Sequence, residues 1–226
     1  SLPLAIPSGV QVMEYPDLFQ TEGRTVIREE KDVPEAIREA YRNREMRSST
    51  GELIWNWQEK DAGYFMVDTR NTKVFTGFVR GRSFDYKGMK LTPGRTRLDW
   101  LTLSLTLACP SGSPTESETL QPGSYLLAAT GLVHNTGAKI VTTGEPGKIS
   151  CSIPDGGATG TSPVLCEGIG AKLTFTGLRD KVRCYALDPD GNRMREIPVT
   201  AGATGDAVLE ISPEYRTVWY ELHIKE

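Results

Sequence analysis

From Gly51 to the C-terminus apolar residues recur at every second position, and the helical period is missing. The clearest run is Leu101, Leu103, Leu105 and Leu107, which alternates with Thr102, Ser104 and Thr106. It predicts an antiparallel strand over 97–107 with one buried and one wet face. The last strand, 216–224, places Val218, Tyr220, Leu222 and Ile224 on one face, with Trp219, Glu221 and His223 on the other. Strands at 52–57, 63–68 and 73–80 follow one another closely, parted by Asp61-Ala62-Gly63 and Arg70-Asn71, as in a meander. Further strands are expected at 83–91 (broken at Gly88), 124–131, 137–142, 171–177, 181–188, 193–199 and 206–211. Asp188-Pro189-Asp190-Gly191-Asn192 reads as a hairpin turn. So many strands can bury one face each only by closing on one another. The expected fold class is therefore all-β, an antiparallel, jelly-roll-like β-sandwich.

The chain before Gly51 follows another pattern. Residues 1–31, with Pro3, Pro7 and Pro16, read as an extended lead-in. Asp32 suits an N-cap, Pro34 the first turn, and Glu35 stands three residues after Asp32 as in a capping box. One short surface helix is expected over 33–46, with a thin apolar stripe of Val33, Ile37 and Tyr41. The organisation is then a lead-in, 1–48, and a sandwich, 49–226. Two long loops, 110–122 and 143–162, are rich in Ser, Thr, Pro and Gly. The second allows a sub-domain break near 150–170. The strands beyond it look too few and short to stand alone, which favours a single sandwich.

The totals fit this picture. The 226 residues suffice for one large all-β domain or two small ones. With 38% hydrophobic and 24% charged residues, a substantial core can form. A net charge of −3 and a pI of about 5.6 give no electrostatic case for nucleic acid. The longest apolar run, 98–108, is interrupted by Asp99, Thr102, Ser104 and Thr106 and falls short of the roughly 18 residues of a membrane span. Residues 1–7 are apolar but lack the basic start of a signal peptide; a mature chain or an excised fragment would both read this way. Of Cys109, Cys151, Cys166 and Cys184, the pair Cys151 and Cys166 brackets a loop whose closure would restrict the unfolded chain, so it is the candidate disulfide. The alternative is free thiols buried in strands, which suits Cys184 between Val182 and Ala186. No CxxC pair or Cys/His cluster suggests zinc.

Catalytic signals are thin. Among 29 acidic residues, pairs arise by chance. Glu52, Asp68 and Asp99 lie at strand ends where a glycosidic acid could sit, although solvated or turn-capping roles are the ordinary ones. There is no GxSxG elbow and no HExxH. His134 and His223 stand among polar or turn residues, and surface or hydrogen-bonding roles are expected for both. Gly156-Gly157-Ala158-Thr159-Gly160 does not open a helix as a phosphate loop must. Asp188, Asp190 and Asn192 have the alternating oxygens of a calcium loop without its distal Glu, so a plain turn is expected, with calcium as the alternative and no other cofactor.

Aromatics are the better lead, because sugar rings stack their C–H faces on flat rings. Alternation places Trp55 and Trp57 on one face with Leu53, and sets Trp219, Glu221 and His223 opposite the core face of their strand. Tyr185 and Arg183 oppose Cys184, and Trp100 opposes the leucine face. Trp57, Trp100, Trp219, Tyr185, Arg183 and His223 are therefore the candidate carbohydrate-binding residues. Trp55 is assigned to the core, the ordinary place for a sandwich tryptophan. Trp219 could alternatively be covered by the N-terminal helix or a partner domain.

Several segments in order resemble a known family. Ser48-Ser49-Thr50-Gly51-Glu52-Leu53-Ile54-Trp55, Phe65-Met66-Val67-Asp68-Thr69 and Val74-Phe75-Thr76-Gly77 are similar to the series SDTGEL-x-W, DTP-x-T and V-x-G. That series opens the C-terminal β-sandwich of multidomain bacterial glycoside hydrolases, whose catalytic part is a TIM barrel of the cellulase-like superfamily. Tyr125 to Gly131 with His134-Asn135-Thr136-Gly137, and Pro163-Val164-Leu165-Cys166-Glu167-Gly168, resemble the family's LLTA-x-G-x-x-x-NTG and PVLVEG segments. Val182 to Asp188 with Gly191-Asn192-Arg193, and Thr217 to Leu222, resemble its last hairpin and terminal strand. The likeness covers about 50–226, and 1–48 look like the joint to the barrel. Ser49 stands where the family has Asp, and Arg70 where it has Pro. The barrel and its catalytic glutamates are absent. The resemblance implies a non-catalytic accessory domain of a secreted, or periplasmic, enzyme. Its expected partners are a polysaccharide and the parent's barrel, with neither nucleic acid nor membrane. A purely bracing sandwich that docks on the barrel is the alternative, and an autonomous hydrolase the third reading.

Overall fold

The computed structural model describes residues 13–14, 26–27, 33, 35–58, 62–112, 119–139, 141–143, 150–152 and 159–226. The chain divides into two compact units, 1–46 and 47–226. The first holds a two-residue ladder, Met13–Glu14 against Val26–Ile27, and helix α1, Glu35–Asn43. In α1 the first-turn carboxylate of Glu35 meets Arg38 at 3.7 Å and also reaches Arg42. The helix is shorter than the expected 33–46. Arg44 takes a left-handed φ of 52° and its N–H donates to the Tyr41 carbonyl, closing the last turn. Val33 is buried and Ile37 half-buried, but Tyr41 is exposed, so the apolar stripe stops short of it. The expected caps, Asp32 and Pro34, lie outside the described residues. No helix among the described residues is long and apolar enough to cross a membrane.

The second unit is an antiparallel β-sandwich. Its strands are β1 Leu53–Asn56, β2 Tyr64–Asp68, β3 Thr72–Phe78, β4 Phe84–Tyr86, β5 Met89–Pro93, β6 Trp100–Pro110, β7 Gly123–Thr130 and β8 Val133–Thr136. They continue with β9 Val141–Thr143, β10 Ser150–Ser152, β11 Thr161–Cys166, β12 Ala171–Phe175, β13 Val182–Leu187, β14 Arg193–Ile197, β15 Val199–Ala201, β16 Ala207–Ile211 and β17 Trp219–Ile224. The larger sheet runs β14-β13-β17-β7-β6-β3-β2-β1 and the smaller β15-β16-β12-β5-β4. Two separate ribbons pair β8 with β11 and β9 with β10. Strands from before and after residues 150–170 pair in both sheets, β7 with β17 and β5 with β12.

The alternation explains the core. Leu101, Leu103, Leu105, Leu127, Tyr220 and Leu222 of the larger sheet meet Met89, Leu91, Leu173, Phe175 and Leu209 of the smaller. The buried tyrosines reach backbone oxygens with their hydroxyls: Tyr125 donates to Gln121 at 2.8 Å and Tyr220 to Thr217 at 3.2 Å. Burial pushes both hydroxyls up to about 12. One core position is ionic. Lys73, fully buried opposite Leu105, places Nζ 2.6 Å from Oδ1 of Asp68.

Several boundaries differ from the pattern. The leucine strand starts at Trp100 rather than 97, because Asp99 sits at φ 54° in a turn that Thr96 closes by accepting the Trp100 N–H at 2.8 Å. The run 193–199 is two strands in different sheets, parted at Pro198, which has no N–H for a ladder. The final strand begins at Trp219, after Arg216 at φ 54°. The expected strand 137–142 is replaced by β8 and β9, with Gly137 at φ 74° between them. The loop 143–162 contains β10 and leads into β11, both unforeseen.

Candidate functional site

Ladder register fixes which residues share the outer face of the larger sheet. One row across the strands is Trp55, Phe65, Thr76, Thr102 and Thr130. The next is Leu53, Val67, Val74, Ser104, Ala128 and Trp219. On the far side of the first row lies Trp57, just past β1, then Gly63, then Phe78 paired with Trp100. Gly63 accepts the Phe78 N–H at 3.0 Å, and a Cβ on it would lie 3.8 Å from the Trp57 backbone. All four tryptophans thus project from this face, and none is among the buried residues between the sheets. This corrects the assignment of Trp55 to the core. On β1 the inward side chains are Ile54, packed against the core, and buried Asn56, while Leu53 is exposed.

The six candidate residues do not form one platform. Trp57 and Trp100 share a row, three strand spacings or about 14 Å apart at ~4.8 Å each. Trp57 also packs on Trp55, centroids 4.9 Å apart and planes at 48°, so the pair forms a V rather than a flat shelf. The hydroxyls of Thr76 and Thr102 share a 2.8 Å hydrogen bond beside it. Trp219, Tyr185, Arg183 and His223 lie on β17 and β13. The β1 and β17 strands are five spacings apart, roughly 24 Å.

In the second group a bidentate clamp fixes the surface. Arg193 Nε and an Nη donate to the two carboxylate oxygens of Glu221 at 2.6 and 2.7 Å, and its guanidinium stands 4.1 Å from the Tyr185 ring centroid. Those hydrogen bonds hold the Glu221 carboxyl below the usual range and raise the guanidinium further. Arg193 therefore covers one face of Tyr185, the ring expected to stack on sugar. Trp219 is the most open tryptophan, 42% exposed. His223 holds Ser124 Oγ at 3.1 Å through Nδ1, and Arg183 is exposed beside it.

The other candidates have local roles. Asp68, half-buried, is held by Lys73 and accepts the N–H of the turn residue Lys87 at 3.1 Å. Glu52, its ladder neighbour, accepts from Thr50 at 2.9 Å, and Asp99 faces Arg80 at 3.6 Å. The Asp188 carboxylate receives N–H groups of Asp190 and Asn192 at 2.9 and 2.8 Å and the Asn192 amide at 3.1 Å. These donors, led by Asn192, depress its carboxyl. Among the described residues no group of three or more His, Cys, Asp or Glu is placed to hold a metal. His134 contacts the Asn135 carbonyl at 2.8 Å through Nδ1. Cys166 is a free thiol, its Sγ 3.7 Å from the Glu167 carbonyl, so the candidate bridge to Cys151 is not formed, and Cys166 is exposed rather than buried in its strand; the Cys151 side chain lies outside the described residues. Cys184 is buried, and burial pushes its thiol up to about 12.

Sequence reasoning missed Phe65, Phe78 and Arg193. Tyr64 to Val67 are apolar without alternation, which hides the outer face of β2, and the bulge between Ala186 and Leu187 hides the register that seats Arg193. Comparison with family models, curated proteins and solved structures finds no match.

Proposed function

We propose that residues 47–226 are a non-catalytic accessory sandwich of a secreted glycoside hydrolase, binding polysaccharide along the outer face of the larger sheet. The observation that carries this reading is the placement of all four tryptophans on that one face, outside the core. Trp219 is exposed and the other three are half-buried, so each presents part of its ring on that face. The neighbouring hydroxyls of Thr76, Thr102, Ser104 and Thr130 offer hydrogen bonds to sugar hydroxyls. The Trp55–Trp57 pair with Trp100 is the first subsite, and Trp219 the second. The resemblance of 50–226 to the C-terminal sandwich of cellulase-like enzymes supports the same reading. The three strand-end carboxylates are each engaged locally, which favours a non-catalytic role.

A second reading has its own observation. The middle of the face carries Leu53, Val67, Val74, Leu126 and Ala128, which offer sugars no hydrogen bonds, and Leu53 and Leu126 are exposed. Such a band suits docking on the catalytic barrel of the parent. Affinity gels with cellulose, xylan, mannan and β-glucan separate the two. Retardation of wild type that Trp57→Ala or Trp219→Ala abolishes is the expected result. A folded wild type that no glycan retards overturns binding and leaves docking.

A further inference from the structure

The β13–β17 end of the outer face carries a positive patch that the stacking argument does not use. Arg183 pairs with His223 across the ladder, and Lys225 donates its N–H to the Lys181 carbonyl at 2.9 Å, extending the same ladder one step. Val182 and Ile224 point inward and are buried, so alternation sets Lys181, Arg183, His223 and Lys225 together on the outer face. The three strong bases are exposed, and among the described residues none of them is ion-paired. On the same face Glu221 is neutralised by Arg193, the exposed Glu196 stands opposite Tyr185 on β14, toward Arg193, and the Glu226 carboxylate lies toward Gly112. His223 is oriented by Ser124 through Nδ1, which leaves Nε2 at the free edge of its ring.

We propose that this patch binds the anionic groups of an acidic polysaccharide, a uronate or a sulfate ester. The inference rests on the glycan-binding reading above and names its substrate class. Residues two apart on a strand face are about 6.8 Å apart, so the Arg183–His223 pair lies roughly 14 Å from Trp219 along β17. A chain lying along the strand could stack one sugar on Trp219 and place an acidic group two or three sugars on against the bases. In a protein of net charge −3, such a concentration of unpaired cations is a local reversal of sign that selects anions.

The test is affinity electrophoresis of the whole chain at pH 7 on alginate and polygalacturonate, on carrageenan, and on neutral xylan and β-glucan, at low and high salt. The variants are Arg183→Gln/Lys225→Gln and the charge-matched control Lys139→Gln/Lys172→Gln, with melting curves confirming that each folds. The expected result is salt-sensitive retardation on an anionic glycan, weakened at least tenfold by the first double variant and unchanged by the control, with neutral-glycan retardation unaffected. Retardation stronger on the uronates than on carrageenan assigns a carboxylate, and the reverse a sulfate. Retardation on neutral glycans alone, or equal losses in both double variants, overturns this inference while leaving glycan binding intact. No retardation on any glycan overturns both.

Discussion

Asp68 lies at a strand end, where a glycosidic acid could sit, yet its carboxylate is turned toward the buried ammonium of Lys73. The Lys73 side chain has 0% exposure, that of Asp68 has 15%, and the charges are 2.6 Å apart. Withdrawing either ion from water costs several kcal/mol, and only the partner offsets it. Removing one member should therefore cost about 3–5 kcal/mol, unlike the fraction of a kcal/mol usual for a surface pair. The two single variants should also differ. Lys73→Met leaves a carboxylate that keeps the Lys87 N–H and some water, so its cost belongs near about 3 kcal/mol. Asp68→Ala strands an ammonium with no water, near about 5 kcal/mol. Against a total stability of roughly 5–15 kcal/mol, the second could leave the domain barely folded. The double variant should be more stable than the sum of the single losses predicts. Urea unfolding followed by tryptophan fluorescence reads all three, provided the m-value is unchanged. Two single variants that each cost less than about 1 kcal/mol, or Lys73→Met costing more than Asp68→Ala, would refute the argument.

Two further outcomes are expected. The Arg193 hydrogen bonds depress the Glu221 carboxyl, so this pair stabilises the fold above the unfolded glutamate pKa of about 4.3 and the contribution is lost as pH falls through the lower folded value. Glu221→Gln should then lower the melting temperature at pH 7 and lose that effect near pH 2, and a gap of equal size at both pH values would count against the pair. Alkylation of the native protein at pH 8, read by peptide mass, should modify Cys109 and Cys166 and spare Cys184, which is buried with its thiol pushed up to about 12; rapid native labelling of Cys184 would show that its strand opens.

The sandwich was legible because its strands alternate cleanly where one face is buried. Leu101 to Leu107 and Tyr220 to Ile224 show this best. Legibility fails where both faces are apolar, as at Tyr64 to Val67, and where neither is. Thr161 to Cys166 is exposed along its whole length, so β11 carries no period to read. The break at Pro198 was visible as a residue, but its consequence, a crossing from one sheet to the other, depends on the far strands β13 and β16. The site divides in the same way. Alternation along single strands turned Trp100 and Trp219 outward and put Trp57 on one face with Trp55, because that is a local property, but it did not say that the Trp55 face was the outer one. It could not say that β1 and β17 stand at distant places in one sheet, nor that Arg193 would cap Tyr185, because both follow from strand order and from a bulge.

Placing four tryptophans outside a complete core separates two properties that usually travel together. Leucine, tyrosine and phenylalanine side chains close the space between the sheets without them. Their loss should thus bear more on what the surface holds than on whether the sandwich folds, unlike the loss of Lys73 or Asp68. The face itself is graded: aromatic rings and threonine hydroxyls toward β1 and β6, an aliphatic band across the middle, then Trp219 and unpaired bases toward β13 and β17. A flat protein partner gains most from the middle. An extended acidic glycan gains most from the ends, where rings and cations give it both stacking and charge. The relative effects of Leu126→Ser and Arg183→Gln on a measured affinity therefore identify which class of partner the face holds.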